Sequence, residues 1–450
     1  MPILQPGKYN LRNLTAFAQS GAFVNLKDIF VEMTIDESIF SSAISGKILV
    51  TDTANLPSGS VGLPLMGNEI IIIELDLPDW YPATYETDPT DDPDAWTPKQ
   101  NYVFYVGRIY SIQNVTALND KSQKYEIQFC SEELLRSENL RISKWYKDTP
   151  SEIAKKILTK TIGTESRIYF EDTAKVLDVV IPNWHPFYAI NWLASRSLSV
   201  NSNSPTFFFY QTLYSDYDAT EGKPTSTFWY DSLDYLTSTK SLKTFYFGLA
   251  NVLEDDPSKF LRVENYFVEK RFDSLASISD GLFANRLITH DVVNKKWEIK
   301  DQDYYKEFPN WSHTSKGKLY RGVDDSEGKK FTDYPDSKIY MHSVGTPESP
   351  NNISVIANRR AAQMATLDSN ILNLIGPGDG VVYSGSKISF SYKSPEIFNN
   401  INSELTDTFY DGDWIVLSVR HQFFSEKYRV NLRCAKESLK INVEDYVRKV

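Results

Sequence analysis

The chain has 450 residues, of which 41% are hydrophobic and 24% are charged, so we expect two to four core-forming domains. Its net charge of −11 argues against a protein that grips nucleic acid through the phosphates, and its two cysteines are too few for a disulfide scaffold. The sequence shows no secretory signal and no apolar run long enough to cross a membrane. We therefore expect a protein that is made in a cytoplasm and stays soluble there.

The first 130 residues predict β structure. Apolar and polar residues alternate in five segments, and turn-forming residues such as Gly46, Gly67 and Asn119 separate them. The predicted strands are 29–33, 45–51, 69–77, 102–113 and 124–129. The acidic, proline-containing segment 85–96 predicts a solvated loop, because its prolines oppose regular structure.

Residues 131–245 predict a mixed α/β region. Thr149-Pro150-Ser151-Glu152 has the pattern of a helix start with a capping box, and Gly163 can end that helix. A second helix is predicted after the turn at 182–186. The aromatic runs at 207–210 and 228–230 predict two buried strands.

Strand patterns return in the last part of the chain. Residues 262–291 predict strands, and residues 295–350 are polar and rich in turn formers. Apolar residues at helical spacing predict a helix over 353–367. The final predicted strands are 371–375, 387–392, 414–421 and 428–434.

Several segments of the first part recur near the end of the chain. The pattern Phe-Tyr-x-Gly begins one hairpin in each place, and Lys-Tyr followed by alternating apolar residues continues both. The matched pairs are 104–107 with 409–412, 124–129 with 427–432, 67–72 with 385–390 and, more loosely, 44–52 with 278–291. The order of the pieces is the same in both copies, which predicts an internal duplication. The alternative is two unrelated hairpins with similar alternation.

The predicted fold is mainly β with an α/β part. We predict two similar antiparallel β-barrel domains related by internal duplication, plus a mixed α/β domain between them. The predicted regions are 1–130 for the first barrel, 131–245 for the mixed domain with 292–355 as an insertion packing on it, 246–291 and 356–440 for the second barrel, and 441–450 for a C-terminal tail.

The last hairpin carries the candidate interface. We expect Ile415, Leu417 and Val419 to share its core face with Tyr428, Val430 and Leu432. Arginines alternate with these residues and therefore point to the opposite face. Those arginines are Arg420, Arg429 and Arg433, and we predict that their face lies at a subunit or tube contact.

No pattern predicts a catalytic, cofactor-binding or metal site. The five histidines are too far apart in sequence for a helical or hairpin metal pair. The glycine-rich segment 376–380 leads into a strand and predicts a turn, and the acids of 85–96 lack the glycine and terminal glutamate of an EF-hand. Both cysteines, Cys130 and Cys434, are expected to be small buried side chains. We therefore predict a protein that is not an enzyme and needs no cofactor.

Taken together, these segments resemble the central baseplate hub protein of contractile-tailed bacteriophages. Related barrels occur in the hub part of type VI secretion spike proteins. The resemblance covers most of the chain in the right order, and Gly-x-Trp-x-Val-x-x-Val-x-His at 412–421 is its most specific part. The segments that carry it are GNEIIIIEL at 67–75, FYVGRI at 104–109, IPNWHPFYAINWLA at 181–194, SKIYMHS at 337–343 and DGDWIVLSVRHQFFSEKYRVNLRC at 411–434. The acidic loop and the length of 292–352 depart from the family.

The resemblance implies a structural role. In that family two homologous barrels per subunit form a pseudo-sixfold ring in a homotrimer, between a hexameric tail tube and a trimeric central spike. The implied partners are the central spike protein, a tail tube or tube-initiator protein and baseplate wedge proteins. Genomic DNA would pass through the lumen without specific binding, and no membrane insertion is implied. The implied location is the tail baseplate of the virion, assembled in the host cytoplasm.

A glycan-binding or glycan-hydrolysing protein is the alternative. The aromatic pairs Trp80-Tyr81 and Trp145-Tyr146 could stack on sugars, although such pairs are more often core or interface residues. A glycan hydrolase needs two facing carboxylates at a defined separation, which a sequence cannot exclude. The internal duplication is explained by the hub and not by this alternative.

Overall fold

The structure is a computed structural model of the chain. It describes residues 6–53, 65–79, 99–213, 226–247, 261–320, 328–344, 353–392, 409–425 and 427–440. The predicted acidic loop at 85–96, the Trp80-Tyr81 pair and the tail at 441–450 lie outside these ranges.

The first part of the chain forms an antiparallel sheet, which we call the N-terminal strand set. Its strands are β1 (Asn10–Phe17), β2 (Phe23–Asn25), β3 (Phe30–Ser38), β4 (Ser45–Asp52), β5 (Ile70–Asp79), β6 (Lys99–Asn119) and β7 (Ser122–Ser131). Their order across the sheet is β3-β4-β7-β6-β5-β1-β2. Alternate residues such as Ile48, Ile71 and Ile127 are fully buried on one face, as the predicted alternation requires. The strand β1 was not predicted.

The middle of the chain contains both helices and strands. Its elements are α1 (Glu132–Asn139), β8 (Ile142–Asp148), α2 (Pro150–Lys156), a π-helical turn (Ile157–Ile162), β9 (Arg167–Phe170), β10 (Leu177–Trp184), α3 (Pro186–Ala194), β11 (Phe207–Thr212), β12 (Thr227–Ser232) and α4 (Leu233–Ser238). The helix after Thr149 and its end at Gly163, with φ 68°, are confirmed. The predicted capping box is wrong, because the Thr149 side chain makes no capping hydrogen bond.

The remaining chain contains a second group of strands and a small separate sheet. The elements are β13 (Thr244–Phe247), β14 (Asn265–Arg271), α5 (Ser274–Ser279), β15 (Ala284–Asp291), β16 (Lys296–Asp303), α6 (Tyr304–Glu307), β17 (Ile339–Val344), α7 (Ile353–Leu367), β18 (Asn370–Pro377), β19 (Lys387–Tyr392), β20 (Gly412–Phe424) and β21 (Tyr428–Ala435). Short 3-10 turns cover Phe308–Asn310, Phe331–Asp333 and Pro335–Ser337.

Six of these strands form what we call the C-terminal strand set. Their order across the sheet is β14-β18-β21-β20-β19-β13. Counted along the chain, these strands take the same places in the sheet as β3, β4, β7, β6, β5 and β1 do in the N-terminal strand set. One pairing differs in direction, because β13 runs parallel to β19 whereas β1 runs antiparallel to β5.

The long strand β20 joins the two strand sets. Its first residues, 412–415, pair with β19, and its last residues, 418–424, pair antiparallel with β3. The two sets therefore belong to one sheet of 13 strands and share one hydrophobic core. Among the described strands no ladder closes either set on itself, so two closed barrels stay a prediction.

Residues 278–291 do not hold the place predicted for them. The strand β15 pairs with β16 and β17 in a separate three-stranded sheet, so it is not part of the second strand set and not the counterpart of 44–52. The strand next to β21 is β18, as β4 is next to β7. The stretch 295–350, predicted to be turn-rich, contains β16 and β17.

A β-bulge changes the predicted faces of the last hairpin. The register between β20 and β21 shifts between Val416 and Ser418. Val419 pairs with Leu432 on the core face as expected, but Ile415 and Leu417 face a different core, shared with the mixed α/β region. The prediction that Ile415 and Leu417 pack with Tyr428 and Val430 is therefore wrong.

Candidate assembly interface

Arg420 lies where the two strand sets meet. It is directly opposite Asp36 of β3, and its Nε donates to Asp36 Oδ1 at 2.6 Å. The Arg420 side chain is 53% exposed, so solvent weakens this ion pair. Arg420 therefore marks the outer face of the joint between β20 and β3.

Arg433 pairs with a carboxylate of β14. Its Nε and Nη2 donate to Glu269 at 2.9 and 2.8 Å, and Asn373 Nδ2 donates to the same carboxylate at 3.1 Å. The hydrogen bond from Arg433 lowers the pKa of Glu269 to about 2, although partial burial opposes the shift. This two-pronged contact holds the edge strand β14 to β21.

Arg429 shares its acidic partner with a lysine. Its Nη2 lies 3.0 Å from Glu264 Oε2, and Lys427 Nζ lies 3.0 Å from Glu264 Oε1. All three predicted arginines thus lie on the outer face of the hairpin, and each is ion-paired within the chain. Their contact with a subunit or with the tube stays a prediction.

A polar groove runs along this outer face. Its volume is about 390 Å³, and it is lined by residues of both strand sets, among them Arg420, Arg433 and Asn373. The rest of the lining consists of two acids, Asp36 and Glu37, together with Val419, Asn431 and the serines Ser38, Ser41, Ser45 and Ser418. The groove therefore carries both acidic and basic side chains and is not a basic surface.

Beneath the joint lies a buried chain of polar groups. Glu37, 2% exposed, accepts the backbone N–H groups of Leu213 and Ser384 at 2.7 and 3.3 Å. His421 Nδ1 lies 2.8 Å from the Tyr428 hydroxyl, which donates to the Asp379 carbonyl at 2.8 Å. Burial raises the pKa of Tyr428 well above its usual value, so the hydroxyl keeps its proton.

Tyr428 and Asp379 are locked further by packing and charge. A Cβ at Gly378 would lie 1.9 Å from the Tyr428 ring, so only glycine allows this approach. The Asp379 carboxylate takes the buried Lys243 ammonium at 2.5 Å and accepts N–H bonds from Val381 and Val382. Tyr428 and Asp379 are thus held by hydrogen bonds, whereas the buried His421 Nε2 has no hydrogen-bond partner among the described residues and lies 3.6 Å from Glu37 Oε1.

Several strand edges have no ladder partner among the described residues, and two of them occupy corresponding places in the two strand sets. One is the outer edge of β14, the first strand on the path, and the other is the end of β6 beyond Ile109, which pairs with β7 on one side only. Apolar side chains are exposed on them. Val115 and Leu118 are 54% and 53% exposed on β6, and Phe267 is 48% exposed on β14.

The histidines do not gather into a metal site. His185 contacts the backbone carbonyls of Ser137 and Leu140, and His290 stacks on Trp297. His313 is held by Glu437 at 2.6 Å and by the Phe308 carbonyl at 2.7 Å. Across the described part of the chain, no three histidine, cysteine or carboxylate side chains cluster as metal ligands would.

Two further sequence expectations can be compared with the structure. Cys130 and Cys434 are buried and free, as predicted. Tyr146 is a core residue, whereas Trp145 is 57% exposed and donates from Nε1 to Asp178 at 2.6 Å. In the ranges that the structure describes, no helix is long and apolar enough to span a membrane.

The sequence reasoning missed the acidic side of the interface. Glu264 immediately precedes β14, Glu269 lies within it, and Asp36 lies beside Ile35 in β3. Acidic residues in or beside these strands were the available signal, but nothing local indicated which arginine each would meet.

The chain is similar in structure to two tail proteins. It matches the tail protein from Neisseria meningitidis MC58 with a TM-score of 0.50 and 10% identity, over 95% of this chain and 97% of that one. It matches the 43 kDa tail protein of prophage MuSo2 from Shewanella oneidensis with a TM-score of 0.50 and 8% identity, over 95% and 98%. Such low identities establish a shared fold.

A weaker likeness extends to a secretion protein. The E. coli c3393 protein, a component of the type VI secretion system, matches with a TM-score of 0.41 and 10% identity over 95% of this chain and 76% of that one. No protein-family model matches the sequence, and neither does any curated protein. The two tail proteins are of the kind that the sequence resemblance predicted, and neither supports the glycan alternative.

Proposed function

We propose that the chain is a structural baseplate hub of a phage tail. The observation that carries the proposal is the end-to-end likeness to two tail proteins, which covers 95% of this chain in both cases. The hub would be a homotrimer whose pseudo-sixfold ring joins a hexameric tail tube to a trimeric central spike. It would act in the virion baseplate and would not be an enzyme.

An internal duplication would explain how three chains meet six tube subunits. The proposal is supported by the strand orders, since β3-β4-β7-β6-β5-β1 and β14-β18-β21-β20-β19-β13 use corresponding strands in the same sequence. Two similar units in each of three chains offer six docking surfaces. A closed ring generated by rotation is the usual form of a homo-oligomer.

The domain boundaries follow from this division. We propose 1–130 and 131–245 for the first two domains, as the sequence predicted. The second ring unit would comprise the chain near 246–271 and 370–440, because β15, β16 and β17 form their own sheet. The segment from α5 to α7 would be the insertion, larger than the predicted 292–355.

The proposed partners follow the same geometry. A tail tube or tube-initiator protein and the central spike protein would bind opposite ends of the ring, and baseplate wedge proteins would bind its outside. Genomic DNA would pass through the lumen without being held, which the net charge of −11 favours because phosphate contacts need lysine and arginine.

The mass of the purified protein in solution tests the proposal. Light scattering after gel filtration should give about three times the 51.6 kDa of one chain. At about 150 mM salt the same sample should bind duplex DNA more weakly than the nanomolar range of specific DNA-binding proteins. A single chain at micromolar concentration would contradict the hub, since a ring-forming subunit should bury a large interface.

A further inference from the structure

The two strand sets share detailed hydrogen bonding. In the N-terminal strand set, Asn68 N donates to Ile109 O, and Ile109 N donates to Glu69 O. In the C-terminal strand set, Gly385 N donates to Val416 O, and Val416 N donates to Ser386 O. Each strand then shifts register at the next residue. The match makes Ile109 of β6 equivalent to Val416 of β20.

This equivalence fixes the rest of the register. In β6, Ser111 follows the bulge as Ser418 does in β20, so Gln113 corresponds to Arg420. The same comparison can be continued across the sheet, from β7 through β4 to β3 in one set and from β21 through β18 to β14 in the other. It makes Lys270 of β14 the residue equivalent to Asp36 of β3.

The equivalence reveals a missing contact. Residues 418–424 of β20 pair with β3, with Arg420 opposite Asp36. The corresponding residues of β6, from Ser111 onward, have no partner on that edge among the described residues, and neither does the outer edge of β14. One chain therefore contains one completed joint and the two unmatched sides of a second.

We propose that β14 of one copy pairs antiparallel with the end of β6 of the next copy, in the register of β3 on β20. Gln113 would lie opposite Lys270 of the neighbouring copy, and Thr116 opposite its Phe267. This inference rests on the proposed ring and names the strands that close it. Each chain would contribute eight strands to the ring, four from each set, along the path from β14 to β6.

The exposure of side chains on β14 and β6 supports a second copy of this chain as the pairing partner. At the completed joint, Thr34 holds the place that corresponds to Phe267, and Thr34 is 2% exposed. At the open edges Phe267 is 48% exposed, and Val115 and Leu118, which lie in bulges of β6, are 54% and 53% exposed. Open strand edges with apolar side chains readily take another strand, and a second copy of this chain offers one whose register is already set.

A disulfide between copies tests the register. The hydrogen bond from Ile39 N to Leu417 O makes Arg420 and Asp36 a non-hydrogen-bonded pair, which brings Cα atoms to about 4.5 Å. That separation is within the range of about 4.4–6.8 Å that disulfides accept. The full chain carrying Gln113→Cys and Lys270→Cys should therefore form disulfide-linked dimers and trimers on mild oxidation, visible on a non-reducing gel.

Matched variants control for geometry and register. Arg420→Cys with Asp36→Cys should form a bond within one chain and leave a monomer band. Gln113→Cys with Asn265→Cys is out of register and should not link copies. Cys130 and Cys434 are buried and remain in all variants.

The possible results separate the inference from the proposed function. Links between copies at 113 and 270, without links at 113 and 265, would bear the inference out. A trimeric reduced protein that fails to link at 113 and 270, or links at 113 and 265, would overturn the inference and leave the hub intact. A reduced wild-type protein that stays monomeric at every concentration would overturn both.

Discussion

The joint between β3 and β20 and the two open edges, β14 and the end of β6, occupy corresponding places in the two strand sets. At the joint, Met33, Ile35 and Phe423 are fully buried, and the buried acid Glu37 receives two backbone N–H groups. At the open edges the apolar residues Val115 and Phe267 are about half exposed. Phe267 lies on the outer face of β14, because its neighbours Tyr266 and Val268 pack against the shared core.

In the proposed pairing, the exposed apolar residues of these two edges would be covered by a neighbouring copy. Edge strands of monomeric proteins are commonly guarded by charges, prolines or bulges. Glu269 of β14 and Glu264, which immediately precedes β14, are engaged by arginines of β21, and Phe267 between them is 48% exposed.

The largest expected effect is at the completed joint. Phe423 is fully buried and stacks on Tyr428 at 4.5 Å between ring centroids. Phe423→Ala should lower the free energy of unfolding by about 3–5 kcal/mol, because it leaves a cavity in the shared core. Chemical denaturation followed by tryptophan fluorescence measures the change.

The matched variant on an open edge is Phe267→Ala. In dilute protein it should cost less than about 1 kcal/mol, as expected for a half-exposed side chain away from the core. The cost should grow with protein concentration, since association covers β14. Equal losses for both variants at low concentration would remove the contrast between joint and edge.

The buried ion pair next to the joint should have the next largest effect. Lys243→Met leaves the Asp379 carboxylate, 4% exposed, without its 2.5 Å partner. We expect a loss of about 3 kcal/mol, because an uncompensated buried charge remains. Thermal unfolding is the measurement.

A double variant checks this assignment. Lys243→Met with Asp379→Asn should recover part of the loss, because the amide oxygen still accepts the N–H groups of Val381 and Val382. If the double variant were less stable than Lys243→Met alone, the unpaired charge would not be the cause.

The contact between His313 and Glu437 lies away from both open edges, so its effect on stability can be compared with theirs. Burial alone would lower the pKa of His313, but the hydrogen bond and the charge of Glu437 outweigh it and raise the pKa above its usual value. The stabilisation is therefore complete below about pH 6.5 and is lost as the pH rises through the raised pKa.

Replacing this histidine should remove that dependence. His313→Gln should cost on the order of 1–2 kcal/mol at pH 6 and less at pH 9, as for hydrogen bonds to charged groups. Melting temperatures across this range test it, and the difference should not change with protein concentration. A constant cost at every pH would contradict the charged contact.

The smallest expected effect concerns the outer arginines. Arg433→Met should let the pKa of Glu269 rise from about 2 toward its usual value. The lowered pKa stabilises the fold above about pH 4.3, and that contribution is lost as the pH falls toward 2.

Because the Glu269 side chain is 36% exposed, the loss at pH 7 should stay below about 1 kcal/mol. Acid unfolding followed by circular dichroism measures it, with Arg420→Met as the matched variant at the joint. A loss above about 3 kcal/mol for Arg433→Met would show that β14 depends on this contact alone.

Local pattern was enough to predict much of the fold. The hairpins of β6–β7 and β20–β21, the helix α7 and the end at Gly163 of the helical segment that begins with α2 follow from strand alternation, helical spacing and glycine conformation. The strand β16 was missed because most of its residues are exposed and charged, so its composition indicates turns. It is held by its ladder to β15.

The bulge and the non-local pairings could not be predicted. The register shift at Leu417 moves Ile415 to another core, and no local pattern marks it. The two Phe-Tyr-x-Gly motifs do not occupy equivalent positions in the sheet. Gly107 lies opposite Ile71 of β5, but Ile388, the residue of β19 that corresponds to Ile71, lies opposite Trp414 and not opposite Gly412. The salt bridge between Arg420 and Asp36 spans 384 residues, so the arginines were predictable and their partners were not.

Electron cryo-microscopy of the assembled protein tests the central claim most directly. The account predicts a closed ring of three chains in which the N-terminal and C-terminal strand sets alternate as six similar parts. The reconstruction should show β14 of each copy beside the end of β6 of the next. A ring with another number of chains, or one in which the two strand sets differ in strand order, would contradict it.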